Sequence, residues 1–342
     1  MSGDEPRVTI VVSPRERFSL SRQSLESIYE HTDIPFRLVY VDGDSPQHIR
    51  TYLLGESKAR SFELVRTEHP LSPNEARNLG IKRVKTEYAV FVDNDLLVTS
   101  GWLRRLVEAA DREKAWIVGP TYLEGRLENR IVHMAGGEAH MIDTPGGRRF
   151  HESHRFMAER LDDVADQIRP GPTELVEFHC MLVRRDVFDR LGPLDEELMT
   201  FGEHIDLCMQ VRIAGGLVYF EPASTVVYVT PPPFDPTDRP YYLLRWSESW
   251  NRRTLNRFSS KWCLAADDPY LPHAWRWVEH HREWVLRELA WPLGRMVGRL
   301  KYGALKTVGR GMVRALESAA SRGAASRRRA AEQRGEVGFR HP

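Results

Sequence analysis

The sequence predicts an α/β protein built on a mixed, mostly parallel sheet flanked by helices, with a C-terminal helical basic tail. Three observations carry this expectation. Short β-branched runs alternate with helical patterns through the first 120 residues, which is the pattern of βαβ crossovers. A chain of 342 residues with 41% apolar content can bury a substantial core. The charge is divided unevenly, with a net +9 on residues 270–342 and −8 on residues 1–269.

Residues 8–12 (VTIVV) form an apolar run suited to a buried parallel strand, and residues 20–30 follow with Leu25, Ile28 and Tyr29 at helical spacing. Residues 36–41 give a second strand, ended by the turn cluster Asp42-Gly-Asp-Ser-Pro46. Residues 62–65 make a third strand. A helix then begins at Ser72-Pro73-Asn74-Glu75, where Ser caps, Pro takes the first helical position and Glu closes a capping box. Residues 88–92 are the fourth strand and 102–110 a helix. The stretch from Gly125 to Pro172 reads as irregular loops around a hairpin. A second ordered block has a strand at 178–183, helices at 186–191 and 203–214, and strands at 217–220 and 225–229. The run Pro231-Pro-Pro-Phe-Asp-Pro236 reads as a rigid linker. Three units are expected: a catalytic domain over 1–232, a packing segment over 233–272, and a tail over 273–342 whose last twenty residues are disordered.

Composition narrows the function. A net charge of +1 does not fit a nucleic-acid binder acting through global charge, and 10% aromatic residues do not fit a solvating disordered chain. Cys180, Cys208 and Cys263 are too few and too scattered for a disulfide framework or a zinc knuckle. Residues 1–7 lack a signal-peptide core, and no apolar run approaches a membrane span, so a cytoplasmic protein is expected.

The densest chemical signal is Asp93-Asn94-Asp95 at the end of a hydrophobic strand. An isolated Asp-x-Asp is commonly a solvated turn. At the carboxyl edge of a parallel sheet, however, two hard oxygen donors face the ligand crevice and suit a divalent cation bridging phosphates. Asp42 ends the second strand and suits either turn chemistry or a nucleotide base or ribose. Arg77 lies on the helix before the Asp93 strand, either as a phosphate contact or as an exposed arginine. Glu203, His204 and Asp206 open a helix, where they serve either as dipole-favoured caps or as a general base.

In order and spacing these pieces resemble family 2 glycosyltransferases of the GT-A fold over roughly residues 7–229. The matching segments are Val8-Thr-Ile-Val-Val-Ser13, Val39-Tyr-Val-Asp42-Gly-Asp-Ser, Asn74-Glu-Ala-Arg-Asn-Leu-Gly80, Asp93-Asn-Asp95, Val183-Arg-Arg-Asp-Val-Phe188 and Gly202-Glu-His-Ile-Asp206-Leu. The resemblance implies a nucleotide-diphosphate sugar donor, Mn²⁺ or Mg²⁺, and inverting transfer to a hydroxyl of a glycan or lipid-linked acceptor. By position it implies that Asp42 binds the base, Asp93 the ribose or metal, and Asp95 the metal-bridged diphosphate. Ser13, Arg15 and Arg77 would line the nucleotide pocket. Two departures stand out: His204 occupies the place of the usual catalytic carboxylate, leaving Glu203, His204 or Asp206 as the base, and Tyr228 stands where a metal-binding histidine is common.

Sugar nucleotidyltransferases and Rossmann enzymes both need a glycine-rich loop after the first strand, and Ser13-Pro-Arg-Glu-Arg17 has none. A non-catalytic sugar- or nucleotide-binding protein on the same fold is the competing reading. His133, His140, His151 and His154 read as surface-loop histidines, and His179 as a neighbour of the acceptor or sugar. In the tail, Trp277, Trp284 and Trp291 fall seven apart and are expected to pack on the domain. The basic stretch beyond them, with Val297, Leu300, Ala304 and Val308 on one stripe, suits peripheral contact with an anionic inner membrane face, self-association or a solvated face.

Overall fold

The structure, a computed structural model, describes residues 5–230 and 234–334, the side chains of 285–310 and 312 excepted. Its centre is a ten-stranded mixed sheet. Strands β1 (Val8–Ser13), β2 (Phe36–Gly43), β3 (Glu63–Thr67) and β4 (Tyr88–Asp93) run parallel in the order β3-β2-β1-β4. Their connections are α1 (Ser21–His31), α2 (Gln47–Ala59) and α3 (Pro73–Ile81). The sequence pattern did not separate α2 from its turn, although Ile49 and Leu53, one helical turn apart, are its buried residues. The capping box at Ser72 and Glu75 forms as expected, with Pro73 at the first position.

Beyond β4 the short β5 (Leu96–Val98) and helix α4 (Trp102–Glu113) lead to β6 (Ile117–Glu124), a buried strand the sequence reading missed. The stretch expected to be loops is mostly ordered. It contains β7 (Ile131–Met134), the hairpin β8 (Gly137–Thr144) and β9 (Gly147–His154), the short α5 (Leu161–Val164) and the two-residue β10 (Gly171–Pro172). Its polar composition reflects a hairpin with only one covered face.

Strand β11 (Cys180–Arg184) then enters the sheet antiparallel between β4 and β6. Helices α6 (Asp186–Leu191) and α7 (Glu203–Ile213) follow. The two strands expected at 217–220 and 225–229 are one, β12 (Val218–Tyr228), whose pairing with β6 shifts register between Glu221 and Thr225. Helix α8 (Arg239–Arg245) and helix α9 (Glu248–Trp262) close the body. Residues 231–233 of the expected linker lie outside the described residues.

The tail departs from expectation. Helix α10 (Tyr270–Gln333) would span roughly 96 Å if straight. Yet Arg282 Nη2 lies 2.6 Å from Glu317 Oε2, and Val278 and Val313 share an apolar cluster with Tyr242 and Trp246. The run therefore folds back on itself. Its buried stripe begins Ala274, Val278 and His281, whereas Trp277 is 49% exposed. Trp284 is partly buried, and the side chain of Trp291 lies outside the described residues, as does the stripe from Val297 to Val308. The expected disordered end is helical to Gln333 and returns to the body, where Arg327 pairs with Asp44 and Arg328 with Glu75. Residues 335–342 lie outside the described residues. Among the described residues, no helix is long and apolar enough to cross a membrane.

Gly80 illustrates how tightly α3 seats on the sheet, since a β-carbon there would stand 2.2 Å from Val11 Cγ1. A Gly80→Ala variant should therefore lose about 1–3 kcal/mol through overpacking, despite its better helix propensity. Urea unfolding with an unchanged m-value checks this; a variant as stable as the parent would mean that Val11 yields without cost.

Candidate active site

Sheet topology gathers the candidate residues on one edge. Parallel β1, β2 and β4 end there with Ser13, Asp42 and Asp93, and β6 and β12 end there with Glu124 and Tyr228. Because β11 is antiparallel, its beginning meets their ends: Cys180 pairs with Val92, and the Asp93 N–H donates to the His179 carbonyl at 3.1 Å.

Asp93 is fully buried and surrounded by cationic or protonatable groups. Arg77 Nη2 donates to its Oδ1 at 3.1 Å, while Arg15 Nε and His179 Nδ1 lie 3.5 and 3.0 Å from Oδ2. Burial alone would raise this carboxyl, but His179, Arg15 and Arg77 hold it at about 2. Arg77 also donates to Glu203 Oε1 at 3.2 Å and lies over the Phe178 ring at 4.1 Å. Arg77 is therefore not the exposed arginine of one reading: it is buried, and the partners seen here are the Asp93 and Glu203 carboxylates. Burial likewise works to raise Glu203, but Arg77 and then His204 lower it overall.

Asp95 is as buried as Asp93, but neither of its carboxylate oxygens has a hydrogen-bond partner. Burial pushes it up to about 7, with Arg17 opposing and Glu16 and Asp93 reinforcing the shift. Two orphaned oxygens fit a hard divalent cation, whereas the oxygens of Asp93 are both faced by protein groups. Asn94, between them, ties down the loop after β1: its Oδ1 accepts from Arg15 N at 2.9 Å and its Nδ2 donates to Arg17 O at 3.1 Å. The Ser13 hydroxyl is buried without a partner. Tyr228 donates to Glu16 Oε2 at 3.0 Å and packs against His179 with ring centroids 4.2 Å apart.

The other predicted residues differ in how free they are. Asp42 accepts from Ser45 N and Oγ, both at 2.9 Å, and pairs with Arg66, so the turn role accounts for both oxygens. Asp206 accepts from Gln210, from Lys261 at 2.8 Å and from Trp262 at 3.0 Å. Its carboxylate is thus engaged by Gln210 of its own helix and by Lys261 and Trp262 of α9, unlike the free Nε2 of His204. His204 Nε2 is buried without a partner, and burial lowers the pKa of the ring, which leaves a neutral imidazole.

His133, expected on a surface loop, is instead a buried residue of β7. Its Nε2 lies 3.0 Å from Glu177 Oε2, and Glu177 approaches His179 Nε2 at 3.8 Å. Burial works to lower His133, but Glu177 and Glu124 outweigh it and raise the ring to about 9. The sequence places Glu177 and His179 two apart just before an apolar strand, but it is a turn, with Cys180 N–H donating to the Glu177 carbonyl at 3.3 Å, that presents them together. The register that adds His133 from β7 was not legible. His154 keeps a partner of its own in Glu152 at 3.1 Å. His140 and His151 sit opposite each other on the hairpin, where they pair with Glu174 and Glu138.

Comparisons with known proteins identify the family and the fold. Residues 9–192 match the sequence signature of Glycosyl transferase family 2. The O-antigen biosynthesis protein RfbC of Myxococcus xanthus is 26% identical over 222 residues, covering 61% of this chain and 16% of that protein. The chain thus spans less than a quarter of the length of the first curated relatives it matches, 23% and 16%. Among solved structures, the GalNAc-T7 complex with UDP, GalNAc and Mn²⁺ superposes with a TM-score of 0.52 at 16% identity, covering 86% of this chain and 58% of that one. The mannosyltransferase PcManGT of Pyrobaculum calidifontis, in complex with GDP-Man and Mn²⁺, gives 0.50 at 15% identity over 95% and 89%. These likenesses show a shared fold.

The isolation of Asp95 has a measurable consequence for stability. In the folded chain its carboxyl keeps a proton up to about pH 7, whereas the ordinary value is 3.8, so ionisation weakens the fold as pH rises through that window. In chelator at pH 8, Asp95→Asn should therefore be more stable than the parent by on the order of 2 kcal/mol. The gain should fade as the pH drops toward 4, as read by thermal unfolding across pH. Equal stability at pH 8 would show that the carboxylate has compensating partners.

Proposed function

The chain belongs to glycosyl transferase family 2, and from that premise we propose inverting sugar transfer from a nucleotide-diphosphate sugar to a hydroxyl of a glycan or lipid-linked acceptor, assisted by Mn²⁺ or Mg²⁺. The observation that carries this reading is Asp95, a buried carboxylate with two unpaired oxygens beside Arg15 and Arg17 at the carboxyl edge of the sheet. Asp95 would hold the cation. When bound, the cation supplies charge stabilisation to the departing diphosphate.

The protein's own groups divide the remaining work. Arg15 and Arg17 place positive charge around the donor, and the free Ser13 hydroxyl offers a further hydrogen bond. Asp42, held rigid by Ser45 and Arg66, offers its remaining lone pairs to the base. Arg77 acts as a positioning residue, since its guanidinium is committed to Asp93 and Glu203. His204 is the proposed base: it is neutral near pH 7 and its Nε2 is free, whereas Glu203 is engaged by Arg77. As the acceptor oxygen bonds to the anomeric carbon, the bond to the diphosphate breaks and the acceptor proton passes to Nε2. The net +9 of residues 270–342 gives the tail an attraction for an anionic surface, which suits a lipid-linked acceptor.

The competing reading, a protein that binds nucleotide sugar without transferring it, draws on Tyr228 at a position where a third metal ligand is common. Release of free nucleotide from a donor sugar with Mn²⁺ separates the two readings. Asp95→Ala should nearly abolish transfer while circular dichroism stays unchanged; near-normal transfer would remove the metal role. His204→Ala should lower kcat by ~10²–10⁴-fold. Because burial lowers His204 from its ordinary 6.5, the acid limb of the parent kcat profile should fall below pH 6.5. Near-normal turnover by His204→Ala would assign the proton to Glu203.

A further inference from the structure

A second group of potential ligands adjoins Asp93 through His179, whose Nδ1 lies 3.0 Å from Asp93 Oδ2. Two histidines turn their Nε2 atoms toward one carboxylate oxygen: His133 Nε2 lies 3.0 Å and His179 Nε2 3.8 Å from Glu177 Oε2. One potential ligand atom from each of the three residues falls within 4.8 Å of the others. Ligands about 2.1 Å from a tetrahedral ion stand about 3.4 Å apart, so the observed spacings bracket what a shared ion requires. All three residues are at least nine-tenths buried, and His133 Nε2 and Glu177 Oε2 make no hydrogen bond of proper geometry.

The other nitrogen of each ring supplies an independent observation. His179 Nδ1 faces Asp93 Oδ2 at 3.0 Å, and His133 Nδ1 faces Glu124 Oε2 at 3.5 Å. Metal-bound histidines characteristically direct their free ring nitrogen to a carboxylate, which fixes the tautomer and raises ligand basicity. Here a carboxylate oxygen stands within 3.5 Å of the second nitrogen of each ring, contributed by the ends of two different strands. A lone His133–Glu177 ion pair would account for one ring, but it leaves His179 directed at the same oxygen without a purpose.

We propose that His133, Glu177 and His179 bind one transition-metal dication of the zinc class, at a site separate from the Asp95 carboxylate. Two imidazole nitrogens and one carboxylate oxygen suit Zn²⁺ or Co²⁺ and disfavour Mg²⁺, which prefers oxygen donors and retains its water. The ion would lock His179 against Asp93 and so help to position that end of β4.

Cobalt substitution tests the site without a donor sugar, so its outcome is independent of the transferase reading. The full chain is stripped with chelator, titrated with Co²⁺ and followed by visible d–d absorption and bound-metal analysis. With excess Mg²⁺ present to fill the Asp95 oxygen site, one equivalent of Co²⁺ should bind with visible absorption, and Zn²⁺ should displace it. Asp95→Asn should bind as the parent does, while His133→Ala and His179→Ala should lose the absorption. Glu124→Gln alters a partly exposed supporting carboxylate, so the fold should survive, and binding should weaken ~10–100-fold. That variant decides the matter if the histidine variants do not fold. Absence of a retained ion, binding unchanged in Glu124→Gln, or loss in Asp95→Asn would overturn the proposal.

Discussion

Arg77 is a guanidinium with no exposure to water, held between the Asp93 and Glu203 carboxylates. Leaving such a charge uncompensated costs about 3–5 kcal/mol, so α3, the end of β4 and the start of α7 cannot shift independently. The same arginine covers the Phe178 ring just before β11, which brings a fourth segment under the constraint. Geometry elsewhere on the edge follows from it. The capping box orients α3, the Gly80 contact with Val11 sets its distance from the sheet, and Gly202, with a φ of 76°, turns the chain so that Glu203 meets Arg77. His204 is thereby placed by its neighbour.

The buried charges of this edge are unequally satisfied, and the inequality is informative. Asp93 faces three basic side chains, Asp42 accepts from its own turn and from Arg66, and Asp206 accepts from Lys261 and Trp262. Asp95 stands apart with neither oxygen paired. A fold optimised for stability alone would not keep an unpaired carboxylate beside Glu16. Such a carboxylate is what the proposed cation site requires, and it comes at a cost in stability.

Much of this architecture was legible because it depends on local pattern. The apolar runs ending at Ser13, Asp42 and Asp93 announced a parallel sheet and its functional edge, and Ser72-Pro-Asn-Glu75 announced the start of α3. What was not legible depends on register and long-range pairing. No local signal says that His133 on β7 meets Glu177 and His179, because strand pairing across more than forty residues decides it. The Trp277–Trp284–Trp291 spacing suggested a buried face, but α10 buries Ala274, Val278 and His281 and leaves Trp277 half in water. Periodicity identified the helix; the surface it met chose the face. Asp206 shared the motif of Glu203 and His204, and only the position of α9 shows that Lys261 and Trp262 engage its carboxylate.

The antiparallel entry of β11 between β4 and β6 also governs how the molecule can be assembled. Asp93 has Ser13 beside it on one side and the His179 backbone on the other, partners 80 and 86 residues away along the chain. Contacts of such high sequence separation slow folding, because loop entropy is lost before their energy is gained. Residues 8–93 can align four parallel strands, but they would desolvate Asp93 with only Arg15 and Arg77 for company. The missing inner strand and the remaining polar partners arrive on one segment, residues 177–204. Insertion of β11 beside β4 and arrival of the His179 and Glu203 partners are therefore coupled, and a chain that has not placed that segment lacks the partners of Asp93 and Arg77.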